Sequence, residues 1–247
     1  MKHPTLLIAL LASIFVLGAC FGTPEEKEPS LLSREEPASG ARVSEPLPLP
    51  QTGEGNFENM VADYERKDRV IWQKPDMVIS LLGQLEGRTV ADIGAGTGYF
   101  AFRIVPLAKK VIGIDIDPRF ISFMDSVKVR LPKEYRDRFE SRPAKPDDPL
   151  LQPEEVDAVM IVNTYGYIGN RSSYLQKLWS GLKPGGDLLI IDFKKNNLPL
   201  GPSEQFKVSH LQVKQELEQS GFDVLNIDRN SLDYQYIIQA RKKTRLK

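Results

Sequence analysis

The segment Thr89–Ile93 is apolar apart from Thr89 and Asp92, and it runs directly into Gly94-Ala95-Gly96-Thr97-Gly98. No other feature constrains the fold of this chain as strongly. Glycines at alternate positions let a backbone turn tightly and let a ligand approach where no Cβ stands in the way. A buried strand that turns through glycines into a helix, predicted over 99–108, is how a parallel α/β unit begins. Open α/β sheets bind ligands at the carboxyl ends of their strands.

The chain downstream repeats that alternation. Residues 111–116 read as a second strand, and 118–130 as a second helix with proline in its first turn. A short third strand is expected near Phe139. Residues 156–162 are β-branched and mostly apolar, as parallel strands buried on both faces are. A helix over 174–182 stops at Lys183-Pro184-Gly185-Gly186, ahead of another strand at 188–193. Residues 209–220 read as a helix with a serine cap and Gly221 just past its end. Strands at 222–227 and 234–240 have no helix between them and form a hairpin. The expected architecture is α/β, a doubly wound sheet that is mostly parallel with an antiparallel C-terminal hairpin. Ahead of it, 57–85 has helical spacing broken by Pro75, which predicts two short helices on either side of Lys74-Pro75.

Which ligand the turn takes depends on spacing. A dinucleotide fingerprint reads G-x-G-x-x-G, and counting from Gly94 puts Tyr99 where its last glycine belongs. The spacing present is G-x-G-x-G, with Asp92 two residues before the first glycine. A carboxylate there suits a ligand with a positive amino group better than a pyrophosphate. Val111-Ile112-Gly113-Ile114-Asp115 then ends the second strand in an acid, about 20 residues after the loop. Such a carboxylate accepts hydrogen bonds from both hydroxyls of a ribose. Asp117 competes for that role, or simply caps the helix it begins.

With Leu182-Lys183-Pro184-Gly185-Gly186 as a third match, these stretches resemble the class I S-adenosylmethionine-dependent methyltransferases over roughly residues 72–240. The resemblance implies a Rossmann-like, seven-stranded sheet with S-adenosylmethionine as cofactor. It implies that Asp92 helps place the cofactor's amino-acid end, with Gly94, Ala95, Gly96 and Gly98 making room. Asp115, with Ile116 beside it, would hold the ribose. Asp147 is either the acid facing the adenine amino group or part of a capped turn. Asn163 opens the segment Asn163-Thr164-Tyr165-Gly166-Tyr167 beside the sulfonium, in which Tyr165 and Tyr167 are acceptor-pocket candidates or packing aromatics. This segment has neither the Asn-Pro-Pro-Tyr of amino-group methylases nor the histidines of related small-molecule enzymes. The helical piece 56–86, with Trp72 and Lys74, is expected to close over the cofactor as a lid and a second acceptor wall.

Displacement at a sulfonium requires chiefly alignment, and a base only if the acceptor must lose a proton. His210 reads as a solvated first-turn residue, no cluster has metal-ligand spacing, and no catalytic residue is assigned. The expected activity is methyl transfer to a small-molecule or lipid-like acceptor. The alternative is a lipoprotein that binds cofactor or partner without turnover; an NAD-linked oxidoreductase is disfavoured by Tyr99.

Lysine plus arginine total 33 and aspartate plus glutamate 33, so no global field draws the chain to nucleic acid, and none is expected as a partner. The single cysteine excludes an intramolecular disulfide. It stands at Cys20, after an apolar run of about 15 residues that is short of the roughly 20 needed to cross a bilayer. Leu17-Gly18-Ala19-Cys20 resembles a bacterial lipobox, which implies a signal peptide at 1–19 and a lipid on Cys20. Residues 20–55 hold Pro24, Pro29, Pro37, Pro46, Pro48 and Pro50 among many glutamates and read as a disordered tether. The methyltransferase-like domain is placed at 87–242 and a basic tail at 243–247. The expected location is the bacterial cell envelope, with the exported domain held to a membrane through Cys20.

Overall fold

The computed structural model describes residues 57–244. The signal peptide, Cys20, the tether, the first residue of the lid piece and the end of the basic tail lie outside the described residues.

Seven strands form one sheet: β1 (Thr89–Ile93), β2 (Lys110–Asp115), β3 (Phe139–Pro143), β4 (Val156–Val162), β5 (Leu182–Phe193), β6 (Phe222–Asp228) and β7 (Gln235–Lys242). Their order is β3-β2-β1-β4-β5-β7-β6. Pairing is parallel from β3 through β5, and β7 runs antiparallel to both of its neighbours. The predicted doubly wound sheet with an antiparallel C-terminal hairpin is therefore present. Strand order reverses between β1 and β4, so the glycine turn after β1 opens at the switch point.

Alternation along the central strands explains the two cores. Val90, Val111, Met160, Leu189 and Ile191 face one layer with Val78 and Ile104. Ala91, Ile93, Ile112, Ile161 and Ile190 face the other with Leu175, Leu178 and Leu217. Strands covered on both faces need no polar side, which is why these sequences read as unbroken apolar runs.

The helices are α1 (Phe57–Tyr64), α2 (Arg69–Gln73), α3 (Pro75–Ser80), α4 (Ala101–Ile104), α5 (Pro118–Lys128), α6 (Lys133–Arg136), α7 (Arg171–Gly181) and α8 (His210–Gln219). Ser209 caps α8 by accepting from the Gln212 N–H. The N-terminal piece holds three helices where two were expected, because the chain breaks after Tyr64 as well as at Lys74, which adopts a left-handed φ of 45° before Pro75. The helix predicted over 99–108 shrinks to α4, the glycine turn and Pro106 taking up its two ends. The expected Lys183–Gly186 turn is instead the irregular start of β5, where pairing with β4 shifts register between Val156 and Ala158. Gly185 takes a φ of +72° there and lets the strand continue through the irregularity.

Candidate functional site

Hydrogen bonds from Gly94 N–H and Ala95 N–H to the Ile114 carbonyl, at 2.8 and 3.0 Å, tie the turn after β1 to the end of β2. Gly94 and Gly96 have φ of +71° and +56°. A Cβ on Gly94 would overlap the Thr164 side chain, and one on Gly96 would stand 2.9 Å from the Tyr64 ring. Gly98 faces the other way, onto Phe102 and Met124.

The two acids predicted from the sequence brace this turn from different sides. Asp92 is buried and accepts the Ala101 N–H at 3.1 Å, so it caps α4 from beneath. Burial raises its pKa to about 7, against that backbone bond and the nearby Arg69 cation. Asp115 ends β2 and accepts Gly96 N–H at 2.8 Å on one oxygen and Asp117 N–H at 3.0 Å on the other. Burial pushes its pKa upward too. Each oxygen keeps a second lone pair, so the group can still accept from a ligand. Asp117 accepts the Arg119 N–H at 2.9 Å and pairs with its guanidinium, a capping arrangement at the start of α5.

A pocket enclosing about 140 Å³ opens on the turn. Its floor is Gly94, Ala95 and Gly96, with Val162, Asn163 and Thr164 from the end of β4. Its roof is Met60, Asp63, Tyr64, Arg69 and Trp72, and its outer wall includes Tyr167, Phe193 and Pro202. The roof is clipped down: Thr97 Oγ1 donates to Glu65 at 2.5 Å, and Tyr64 stacks on Phe120 with centroids 5.3 Å apart. Trp72 leans on Phe193 at 6.2 Å, and Tyr167 stacks on Phe206 at 5.1 Å.

A polar chain runs around this pocket. Arg69 Nε donates to Gln73 Oε1, Gln73 Nε2 donates to Gln235 Oε1 at 3.4 Å, and Gln235 Nε2 donates to Asn163 Oδ1. Both glutamines are fully buried, so their amides have no water to turn to and hold the geometry of Arg69 and Asn163. Arg69 Nη1 also donates to the Tyr64 carbonyl at 2.7 Å, and its guanidinium lies 4.0 Å from the Tyr99 ring centroid. The residue as a whole is partly exposed, yet its head is enclosed enough that burial lowers its pKa to about 10.

The structure thus brings Gly94, Ala95, Gly96 and Asn163 together with Trp72 and Tyr167. Among the other predicted residues, Ile116 is exposed beside Asp115, and Asp147 is exposed, its carbonyl accepting Lys177 Nζ at 2.7 Å. Lys74 is exposed and donates to the Ser231 carbonyl at 2.8 Å. Tyr165 is completely buried, donating to Glu216 at 2.6 Å, where Arg171 also binds. His210 lies 6.1 Å from Tyr236 and does not line the pocket. Among the described residues no group of acids, histidines or cysteines is placed to hold a metal. Asp63, Tyr64, Arg69 and Phe193 line the pocket without having been singled out from the sequence. Thr164, which also lines it, was within that reading, since it follows Asn163 in the segment beside the turn.

Residues 91–188 match the model of a family described as a methyltransferase domain. A protein of Mycolicibacterium smegmatis named "probable S-adenosylmethionine-dependent methyltransferase" is 26% identical over 187 residues, covering 72% of this chain and 67% of that one. The tRNA U34 carboxymethyltransferase of Hahella chejuensis is 31% identical over 201 residues, covering 74% and 59%. This chain therefore spans about two thirds or less of the length of these curated relatives. A solved structure of a SAM-dependent methyltransferase from Aquifex aeolicus shares the fold, with a TM-score of 0.68 at 22% identity over 74% of this chain and 97% of that one. Glycine turn, sheet order, matched segment and relatives agree: residues 91–188 match a methyltransferase domain, the sheet has the fold of an S-adenosylmethionine-dependent methyltransferase, and the cofactor these similarities imply is S-adenosylmethionine.

Proposed function

We propose that the chain transfers a methyl group to a small-molecule or lipid-like acceptor held between the glycine turn and the aromatic wall of Trp72, Tyr167 and Phe193. The observation that carries this is the pocket in which turn and wall face each other. The residues fit the cofactor, because Gly94, Ala95 and Gly96 present main chain without bulk to the pocket and Asp115 stands at the end of the neighbouring strand with acceptor capacity left. Bound there, S-adenosylmethionine supplies a methyl group already activated on its sulfonium. Gly94, Ala95 and Gly96 admit its length, Asp115 takes the ribose hydroxyls on its remaining lone pairs, and exposed Ile116 offers apolar surface to the adenine. Asn163, held by Gln235, presents its amide beside the reacting centre. The cofactor's methyl carbon would be taken by the acceptor's lone pair as the carbon–sulfur bond broke, with the neutral thioether as leaving group. The chain's share is alignment and exclusion of water. An acceptor that must lose a proton finds Asp63, the one carboxylate lining the pocket among the described residues.

An aromatic wall and a single arginine suit a compact, largely apolar acceptor. The balanced charge of the chain offers no field for a phosphate backbone, which sets this reading apart from the tRNA acceptor named for one relative. We further propose that the domain works at the cell envelope, anchored through a lipid on Cys20. Cys20→Ser should then move the protein from the membrane to the soluble fraction, and an unchanged distribution would refute the anchor. For the activity, the full-length chain in detergent is titrated with S-adenosylmethionine and its demethylated product. It is then incubated with methyl-labelled cofactor and cell extracts separated into lipid, small-molecule and RNA fractions. Binding with label in the first two supports the proposal, label in RNA replaces the acceptor class, and binding without any transfer favours a non-catalytic role. Failure to bind either compound overturns the reading.

A further inference from the structure

Among the described residues Arg69 is the one cation lining the pocket, and it is incompletely used. Its Nε is spent on Gln73 and its Nη1 on the Tyr64 carbonyl, both neutral acceptors. Among the described residues no acceptor hydrogen-bonds to its Nη2, and no carboxylate lies within ion-pair distance of it. The head is also enclosed, between the Tyr99 ring at 4.0 Å and the Phe100 ring at 5.6 Å. An arginine removed from water without an ionic partner is unfavourable unless something else neutralises it. Glu65 and the buried Asp92 lie near enough to favour its charge without bonding to it, and the remaining approach to the fork is through the pocket that Arg69 lines over the glycine turn. The planar fork is the group that best matches a carboxylate, and three fixed contacts hold it ready before any ligand arrives. Among the described residues lining the pocket Arg69 is the one cation, so a ligand carboxylate held there finds its ionic partner in Arg69.

We propose that Arg69 is the binding residue for the α-carboxylate of the cofactor's amino-acid end, held in register with Asn163 by the Gln73–Gln235 chain. This rests on the cofactor reading above and assigns to that site a residue from the roof rather than from the turn. It gives α2 a specific task, because closing the roof delivers the cation.

The test compares S-adenosylmethionine with its decarboxylated analogue, which lacks only that carboxylate, by calorimetric titration of the full-length chain in detergent. The wild type should bind the carboxylated form about 10- to 100-fold more tightly, the usual strength of a hydrogen bond to an ionised partner. Arg69→Met should lower affinity for S-adenosylmethionine to the level of the analogue and leave affinity for the analogue unchanged. Arg69→Lys should recover part of the discrimination, keeping the charge without the fork. Equal loss for both compounds in Arg69→Met would mean that the residue only supports the roof. Discrimination that survives in Arg69→Met would place the carboxylate elsewhere. If Arg69→Met does not fold, a wild type that binds both compounds equally still overturns the proposal, as does full discrimination retained by Arg69→Lys. Binding of neither compound by the wild type sinks the cofactor reading itself, a different result from equal binding of the two.

Discussion

Replacing Gly96 by alanine adds one methyl group at the point where turn, roof and cofactor meet. The residue has a φ of +56°, and left-handed backbone costs an L-residue about 1–2 kcal/mol. The new Cβ would stand 2.9 Å from the Tyr64 ring, so the ring must move off its stack with Phe120, a loss of about 1 kcal/mol. Together these predict about 2–3 kcal/mol of lost stability, or roughly 5–10 °C in Tm for a domain of this size. Cofactor at a hundredfold excess over its Kd should stabilise the wild type by about 2.7 kcal/mol, a rise of similar size. In Gly96→Ala that rise should vanish, because the Tyr64 ring that the methyl group displaces lines the pocket the ligand needs. Thermal melts followed by circular dichroism, with and without S-adenosylmethionine, separate the two effects. A variant that melts lower but keeps the full ligand-induced rise would refute the placement of the cofactor on this turn. A variant that melts like the wild type would refute the left-handed conformation at Gly96.

Burial raises the pKa of Asp92 to about 7 and that of Asp192 to about 6, so the folded state keeps protons that the unfolded chain releases. Stability from these two groups is full below about pH 4 and is lost as pH rises toward 7. Asp92→Asn should therefore gain on the wild type by about 1–3 kcal/mol between about pH 5 and pH 8, and a constant difference in denaturant melts would refute that origin. Tyr165→Phe removes the 2.6 Å bond to Glu216 and should cost about 2 kcal/mol while leaving cofactor affinity and turnover intact. A kinetic defect without a stability defect would return Tyr165 to the acceptor pocket. Tyr236→Phe deletes a buried hydroxyl with no hydrogen-bond partner among the described residues, so its Tm should match or exceed that of the wild type.

What could be read from the sequence divides along physical lines. Strand β4 was predicted at its observed limits because both of its faces are covered, and a continuous apolar run has no other stable use in a parallel sheet. The cap at Ser209 and the glycine turn were equally legible, since each is set by local backbone chemistry. The irregular start of β5 was not, because Pro184-Gly185-Gly186 has the composition of a turn and only pairing with β4 keeps it in the sheet. Arg69 and Asp63 were illegible for a related reason. They sit on or beside helices of five and eight residues, too short for periodicity to say which face turns inward. Arg69 takes its meaning from the Tyr99 ring and, through Gln73, from Gln235, both distant in sequence, and Asp63 from its place on the pocket wall.

The stretch from Tyr165 to Tyr167 has a consequence for how such a pocket changes over evolutionary time. Its path is set by main chain: Asp192 grips the Gly166 N–H at 3.1 Å, and the Phe206 carbonyl packs so closely that no side chain fits at Gly166. Tyr165 is locked into the interior, whereas Tyr167 is 40% exposed and contributes only its ring to the wall. Frame and surface are therefore separable. With the acceptor placed as proposed, a substitution at Tyr167 would alter which acceptor the pocket admits without disturbing the scaffold that positions it, so descendants of this domain could exchange substrates one ring at a time while the cofactor side stays as it is.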